Sequence, residues 1–227
     1  LFTWNTPNGR KISVALEELG LPYTVHVVDI TQGEHHAADF VRLIPNHKIP
    51  AILDPDGPGG QPLGVFESGA ILLYLAEKTG RLLPADPVQR VRAIEWLMWQ
   101  MAGFGPAPGQ VHHFIALADE ADRRYGLARF MQATRRLYGV MDAHLATHET
   151  FADTYSIADI AILGWVWRHP RHQVDLADFP HVQRWYAQLM ARPAVQRGFA
   201  VALRRCSGDR GRCGAVPGPR PGLAQLT

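Results

Sequence analysis

Cysteine is nearly absent from this chain of 227 residues, and the two that occur, Cys206 and Cys213, lie near its end. Two thiols at these positions exclude a disulfide framework, so we expect a reducing compartment, the cytoplasm. They also leave the joint between the first predicted strand and helix without the thiol that redox proteins place there. We predict that both cysteines are incidental, rather than redox-active or paired in a small loop.

A strong charge of one sign and long apolar runs are also lacking. The formal net charge of +2 is too small for a nucleic-acid-binding surface, so no nucleic-acid partner is expected. No apolar run reaches the roughly 18 residues that indicate a membrane span, so no membrane partner is expected. Eleven histidines are present, but no cysteine or carboxylate set completes a metal site at recognisable spacing. We therefore predict no metal.

Strand and helix signals alternate over residues 1–80. Apolar residues at helical spacing predict helices that end at Gly20 and Gly80, and HHAADFVRL predicts a short helix between them. Strands are predicted at 1–4, 23–29, 51–54 and 63–66. The resulting order, β-α-β-α-β-β-α, is that of an α/β thioredoxin-like domain, in which a parallel pair of strands precedes an antiparallel hairpin.

The sequence changes character after position 80. Residues 81–87 (RLLPADP) are predicted to be a linker, and residues 88–202 show helical patterns, which predict an all-α C-terminal domain. Within it, Ser156 and Asp159 have the spacing of a capping-box variant, in which the carboxylate reaches back to the cap's own amide. Residues 203–227 are rich in Gly, Pro and Arg and cannot build a core, so we predict a flexible tail.

The stretch Thr6-Pro7-Asn8-Gly9 joins the first predicted strand to the first predicted helix. A helix N-terminus has unpaired N–H groups and a partial positive charge, which stabilise an anion such as a thiolate. Thr6 offers an O–H donor and Asn8 an NH₂ donor, which suit a thiolate brought by a ligand. The alternative is an ordinary helix start, with Thr6 as the cap and Pro7 in the first turn. From this stretch alone both interpretations stay open.

Two further stretches bear on this choice. In PNHKIP, a cis bond before Pro50 could expose the backbone of Ile49 to an extended ligand. In FESG, Ser68 stands at a predicted helix start, where hydroxyl and N–H groups can hold a carboxylate, and Glu67 can hold an ammonium. Together these groups fit an α-amino-acid moiety. The alternatives are a plain turn before the strand and a helix that Ser68 simply caps.

These stretches, followed by a helical half with YSIADIA, resemble the cytosolic glutathione S-transferase superfamily. More narrowly, the chain resembles the bacterial Nu class, known for glutathione-dependent disulfide-bond oxidoreductases, in TPNGRK, PNHKIP, FESGAILLYLAEKTG, WQMAGFGPAPGQVHHF and RRLYGVM. The resemblance covers residues 1–200, whereas the segment from Cys206 onward does not match the family pattern. It implies glutathione as a co-substrate and a homodimer.

The resemblance also implies the site residues. Thr6 and Asn8 would be the catalytic pair beside the glutathione sulfur. The glutathione-binding set would consist of Asn8, His35, Lys48, Ile49, Glu67, Ser68 and Arg129. Within this set, Lys48 would attract the glycine carboxylate, and His35 stands where relatives often carry a glutamine that touches the ligand. The part of the cleft that takes the acceptor or a second glutathione would be lined by Trp4, Gln110 and His113.

The implied function is glutathione-dependent disulfide-bond reduction, in which a stabilised thiolate attacks a disulfide. Two alternatives stay open: a transferase that conjugates glutathione to electrophiles, and a glutathione-binding regulatory protein without catalysis. The expected partners are glutathione, a small disulfide or electrophile, and a second copy of the chain. The apolar segment IEWLMWQM (94–101) offers a candidate surface for that dimer.

Overall fold

A computed structural model describes residues 1–201, apart from the side chains of Asp39 and Leu43. The first eighty residues build a four-stranded sheet from β1 (Phe2–Thr3), β2 (His26–Val27), β3 (Ala51–Asp54) and β4 (Leu63–Phe66). The order across the sheet is β2-β1-β3-β4; β1 and β2 are parallel, and the other neighbours are antiparallel. The thioredoxin-like arrangement predicted from the sequence is therefore confirmed.

Helices cover both faces of this sheet. On one face, α1 (Pro7–Leu19) packs against α3 (Ser68–Thr79). On the other, α2 (Ala38–Leu43) contributes Phe40 to an apolar cluster with Phe2 and Ala51. Both α1 and α3 end where the chain turns into the left-handed region, at Gly20 (φ 68°) and Gly80 (φ 64°), as the sequence predicts. Glycine suits these positions because a Cβ atom disfavours positive φ.

The first two strands and the second helix are shorter than predicted. Strand β1 ends early because the Thr6 N–H donates to the Trp4 carbonyl (2.7 Å), which opens the turn into α1. Strand β2 ends because Asp29 accepts from the Thr31 N–H (2.9 Å) and begins a 3₁₀ turn. The segment HHAADFVRL divides into a 3₁₀ turn that ends at His36 and the six-residue α2. These local turns limit how far each element extends.

The second half of the described chain is helical. Its helices are α4 (Pro87–Trp99), α5 (Pro106–Ile115), α6 (Glu120–Leu145), α7 (Ile157–Val166), α8 (Pro180–Met190) and α9 (Pro193–Ala200), and a π-helical turn, Gln100–Phe104, joins α4 to α5. Helix α4 begins at Pro87, the last residue of the predicted linker. The exact domain boundaries stay a prediction, and the predicted tail with Cys206 and Cys213 lies outside the described residues. Within residues 1–201 no helix combines the length and apolarity needed to cross a membrane.

Two glycines bring the helical half close to α1. A Cβ atom at Gly164 in α7 would lie 2.7 Å from the Pro7 carbonyl oxygen, and one at Gly198 in α9 would lie 2.6 Å from Val14 Cα. Such separations are too short for a side chain, so glycine is required at both contacts. The first turn of α1 is thereby held directly against α7.

The exposed apolar side chains of α4 are mostly not the ones that the segment IEWLMWQM suggested as a dimer surface. In IEWLMWQM, Leu97 is buried, and Trp96 and Trp99 pack against the core, so most of this segment lies within the fold. The exposed apolar side chains are Val88 (62%), Val91 (56%) and Met98 (45%). Their spacing of three and seven residues places them on one helix face. The segment is apolar mainly because it enters the core.

Candidate functional site

The N-terminus of α1 has a side-chain cap and an unusually close turn. Thr6 is extended (φ −124°, ψ 160°), and its Oγ1 accepts the Gly9 N–H at 3.1 Å. A Cβ atom at Gly9 would lie 2.4 Å from Thr3 Oγ1 and 2.5 Å from the Trp4 carbonyl oxygen, so the turn requires glycine. The cap uses a lone pair of Thr6 and leaves its O–H proton free to donate. The two interpretations of Thr6 are therefore compatible.

The amide of Asn8 is oriented by a residue from the other half of the chain. Trp165 Nε1 in α7 donates to Asn8 Oδ1 at 3.0 Å. Because an indole N–H only donates, the amide oxygen must face Trp165 and the NH₂ group must face away. Within residues 1–201 the Asn8 NH₂ group forms no hydrogen bond. Asn8 thus presents a donor beside Thr6, as expected, and the residue that orients it, Trp165, was not indicated by the sequence alone.

A neutral aromatic stack stands behind Trp165. The His112 ring from α5 stacks on Trp165 (centroids 5.9 Å apart) and on His172 (5.0 Å), and the Tyr138 hydroxyl lies 3.0 Å from His172 Nδ1. Burial, with a smaller contribution from nearby arginines, lowers the pKa of His112 to about 4. Burial, assisted by the neighbouring His112, lowers the pKa of His172 to about 3. Both rings are therefore uncharged at neutral pH.

Lys11, one turn after Asn8, is a buried lysine that the sequence analysis did not single out. Only 1% of it is exposed. Its Nζ donates to Ser68 Oγ (3.1 Å), Gln100 Oε1 (2.6 Å) and Met101 Sδ (3.5 Å), of which the last two belong to the π-helical turn. Burial lowers the pKa of Lys11 to about 7, and the Glu67 carboxylate opposes this effect. Lys11 thus connects α1, the start of α3 and the helical half.

The start of α3 differs from the expected Ser68 cap. Glu67 occupies the N-cap position without a side-chain cap bond, and Ser68 is the first helical residue. Ser68 is buried, with its Oγ against Lys11 Nζ and Met101 Sδ. The first N–H groups of α3 therefore lack a side-chain partner from the cap and are free for an anion.

Glu67 has a strained backbone and an exposed side chain. Its φ of 67° lies in the left-handed region, which costs a non-glycine residue about 1–3 kcal/mol. Its Oε1 accepts from Asn46 Nδ2 at 3.2 Å. Such strain is typical of binding and catalytic sites, because only a fixed position of the residue justifies it. The carboxylate is thus held beside the start of α3, where an ammonium was predicted to bind.

The loop before β3 has the geometry that PNHKIP suggests. The Ile49–Pro50 peptide bond is cis, so this prediction is confirmed. Among the described residues, the N–H and C=O groups of Ile49 form no hydrogen bond, so both can pair with a ligand backbone. The Lys48 side chain is exposed in the same loop.

His35 lies at the edge of this loop. Its ring contacts that of His36 at a tilt of 43°, with centroids 4.0 Å apart, and His36 Nδ1 lies 3.3 Å from His47 Nδ1. The buried Nδ1 of His35 has no partner among the described residues.

The structure brings together only part of the predicted set. Thr6, Asn8 and Trp4 are adjacent, and Lys11 connects the helix that carries the first two to Ser68. Gln110, His113 and Arg129 lie on exposed faces of α5 and α6. Within the described part of the chain, no hydrogen bond joins these three to the loops of the sheet domain. In α5 it is His112, rather than His113, that packs towards Trp165.

A metal centre finds no support in the described side chains. Residues 1–201 contain no group of three or more histidine, cysteine, aspartate or glutamate side chains that could hold a metal ion. Thr6, Asn8 and the starts of α1 and α3 offer hydrogen-bond donors to a ligand.

Family models and known proteins match this chain over most of its length. The glutathione S-transferase N-terminal domain matches residues 6–78, and the C-terminal domain matches residues 109–193. The disulfide-bond oxidoreductase YfcG of Escherichia coli is 44% identical over 204 residues, which cover 89% of this chain and 94% of that protein.

Two solved structures share the fold closely. A glutathione transferase from Pseudomonas putida, with one glutathione disulfide bound per subunit, has a TM-score of 0.83 and 46% identity over 88% of this chain and 90% of that one. A glutathione transferase family member from Pseudomonas fluorescens, with two glutathione molecules bound, has a TM-score of 0.83 and 45% identity over 88% and 91%. By its fold and its sequence, the chain belongs to the glutathione S-transferase family.

Proposed function

We propose that this protein is a glutathione-dependent disulfide-bond reductase in which Thr6 and Asn8 stabilise the glutathione thiolate. The observation that carries the proposal is the Trp165–Asn8 hydrogen bond, which fixes the Asn8 amide so that its NH₂ group is the free donor. No cysteine occurs before Cys206, so the reacting thiol would come from the ligand. The name of YfcG and the glutathione disulfide in the Pseudomonas putida structure support this chemistry.

The required stabilisation is modest. A free thiol has a pKa of about 8.5, and each unit of lowering requires about 1.4 kcal/mol of preference for the thiolate. A hydrogen bond to a charged group contributes about 1.5–3 kcal/mol, and we expect Thr6 and Asn8 together to contribute about this much to the thiolate. The partial positive charge at the start of α1 adds about 0.3–1 kcal/mol. These contributions are sufficient to make the thiolate the main form at neutral pH.

The reaction balances with two glutathiones and no protein thiol. One thiolate attacks the disulfide, forming a mixed disulfide and releasing the first substrate thiolate. A second glutathione thiolate then attacks the glutathione sulfur, releases the other substrate thiolate and leaves glutathione disulfide. The two protons released by the glutathione thiols are taken up by the product thiolates. Two bound glutathiones in the Pseudomonas fluorescens relative support a cleft of this capacity.

The remaining predicted residues would orient the ligands. Ile49 would pair with the cysteinyl backbone, Glu67 would bind the γ-glutamyl ammonium, and Ser68 with the first N–H groups of α3 would receive its carboxylate. Lys48, His35 and Arg129 would attract the rest of the first glutathione. Trp4, Gln110 and His113 would line the acceptor side of the cleft.

We also propose that the protein belongs to the Nu class, acts in the cytoplasm and forms a homodimer. Each chain would have the domain boundaries predicted from the sequence. The exposed face of Val88, Val91 and Met98 on α4 supports a partner surface, because large exposed apolar side chains favour association. Light scattering at micromolar concentration should give twice the chain mass. A mass of one chain would contradict the dimer.

Turnover with two substrates tests the proposed function. With glutathione as the reductant, hydroxyethyl disulfide should be reduced faster than chlorodinitrobenzene is conjugated. The reverse order would favour the conjugating transferase. Tight glutathione binding without turnover of either substrate would favour the regulatory alternative.

A further inference from the structure

The ammonium of Lys11 is buried, and among residues 1–201 it forms no hydrogen bond to a charged group. Its three hydrogen-bond acceptors, Ser68 Oγ, Gln100 Oε1 and Met101 Sδ, are all neutral. A buried charge normally requires a partner of opposite sign, because desolvation disfavours the charged form. Within the described part of the chain, Lys11 therefore has hydrogen-bond partners but no counter-charge within hydrogen-bond distance.

The neighbouring elements supply little charge. From the start of α3, Glu67 is the charged group that acts on Lys11, and its side chain is exposed. The π-helical turn presents Gln100 and Met101, and α7 presents Gly164 to the Lys11 stem. Lys11 is therefore poised between its charged and neutral forms near neutral pH, since burial lowers its pKa to about 7.

We propose that Lys11 is a positioning residue that supplies the positive charge of the carboxylate site from behind Ser68, and that the ligand's γ-glutamyl carboxylate is its missing counter-charge. This inference rests on the proposed function, which places that carboxylate at Ser68. Because Lys11 donates to Ser68 Oγ, the hydroxyl proton of Ser68 must point away from Lys11. It donates to Met101 Sδ at 3.6 Å, a weak acceptor that a carboxylate would replace. The lysine would thus both orient Ser68 and attract the anion.

The proposal predicts that binding takes up a proton. An added carboxylate raises the pKa of a nearby lysine, so above pH 7 the complex holds more protons than the free protein. Affinity should therefore fall as the pH rises from 7 towards the pKa of Lys11 in the complex. The fall should be up to about tenfold for each unit by which the ligand raises the pKa of Lys11.

The probe is S-methylglutathione, which lacks an ionisable thiol. We expect calorimetry at pH 8 in two buffers of different ionisation enthalpy to report uptake of roughly half a proton or more per wild-type site. In Lys11→Met, uptake should be nearly lost and affinity should fall about tenfold, or about 1.4 kcal/mol. The comparison with the variant removes the contribution of the ligand's own amino group.

Lys78→Met is the matched control. Lys78 lies in the last turn of α3, about 15 Å from Ser68 at 1.5 Å per residue, and pairs with Asp54. This variant should keep the wild-type affinity and proton uptake. If Lys11→Met does not fold, a titration of the Lys11 ¹³Cε resonance in the wild type, free and bound, should show its pKa raised by at least about one unit.

The outcomes separate the two proposals. If the wild type binds S-methylglutathione but Lys11→Met binds equally well with equal proton uptake, the role of Lys11 is overturned and the proposed function stands. If the titration shows the same pKa of Lys11 in the free and bound protein, the role of Lys11 is likewise overturned and the proposed function stands. If the wild type does not bind S-methylglutathione or glutathione, both proposals fail together.

Discussion

Helices α1 and α7 both begin after a hydroxyl residue, but their N-termini differ in what they leave unpaired. At the start of α7, Ser156 and Asp159 form the predicted capping box, and both are fully buried. The Asp159 carboxylate accepts from the backbone N–H groups of Phe151 and Ser156 and from the Trp185 indole. Burial raises the pKa of Asp159 to about 6, although these donors favour its charged form. The Asp159 carboxylate therefore stabilises the fold rather than binding a ligand.

The start of α1 is only half-buried and only partly paired. Thr6 accepts one bond from Gly9, and Asn8 accepts one from Trp165, so both acceptors are used. Neither side-chain donor forms a hydrogen bond with any other residue that the structure describes. A hydroxyl residue before a helix therefore predicts a cap in either case. Whether the same N-terminus can also bind a ligand depends on the donors that tertiary contacts leave available.

The largest expected effect comes from removing the buried acceptor at the N-terminus of α7. Asp159→Ala would leave three buried N–H donors without an acceptor, at about 1–3 kcal/mol each. We expect the free energy of unfolding to fall by about 3 kcal/mol or more, measured by urea denaturation. The exposed Asp153→Ala is the control and should change it by less than about 0.5 kcal/mol. Equal stability of the two variants would contradict the structural role of Asp159.

The second prediction concerns the N-terminus of α1. Thr6→Ala combined with Asn8→Ala should lower disulfide reductase activity about 10- to 100-fold, because about 1.4–2.8 kcal/mol of thiolate stabilisation is lost. Thiolate absorbance should show a raised pKa of bound glutathione in the same variant. The free energy of unfolding should fall by about 2–4 kcal/mol, of which about 1 kcal/mol comes from the lost cap. The other roughly 1–3 kcal/mol comes from the Trp165 indole N–H, which loses its acceptor. A fully active variant would show that these donors are not used.

Trp165→Phe tests how the Asn8 amide at the start of α1 is oriented. The aromatic packing stays, but the donor to Asn8 Oδ1 is lost, so the amide can turn its oxygen towards the sulfur. We expect a roughly threefold to tenfold lower rate and a raised pKa of bound glutathione, since one neutral hydrogen bond contributes about 0.5–1.5 kcal/mol. Affinity for S-methylglutathione should hardly change.

The control for this variant is Trp99→Phe. Trp99 stacks on Phe104 in the helical half, where it forms no hydrogen bond through its indole within the described residues. Its rate should stay near that of the wild type. If both tryptophan variants lose activity equally, the effect of Trp165 would be one of packing rather than of amide orientation.

The smallest effect is expected for the protein thiols. Cys206→Ser combined with Cys213→Ser should leave the disulfide reductase rate within about twofold, because the proposed reacting thiolates belong to glutathione. The proposed mechanism would be contradicted if the cysteine-free protein had no reductase activity while the Thr6→Ala, Asn8→Ala variant stayed active. The α1 start would then be only a helix start.

The order of elements could be predicted because its signals are local. The glycines that end α1 and α3 and the Ser156–Asp159 box all act within one or two turns of chain. The lengths of β1 and β2 were overestimated, whereas the bounds of β3 and β4 agree with the prediction. Apolar and β-branched residues favour an extended backbone, but a strand extends only as far as a neighbouring strand pairs with it. The apolar α4 segment could be offered only as a candidate partner surface, because apolarity alone cannot distinguish an interface from a core.

The sequence by itself determined the fold class and the donors at TPNG, and it offered a cis bond before Pro50 as one of two possibilities. Only the tertiary structure decided which of these groups stay free, because the partners that commit the others are distant in the chain. Trp165 lies 157 positions from Asn8, and Gln100 lies 89 positions from Lys11. No periodicity relates such residues, although the place of Lys11 four positions before the buried Ala15 indicates an inward-facing side chain. Packing of the helical half against α1 converts a helix start into an oriented donor pair and buries a lysine beneath Ser68.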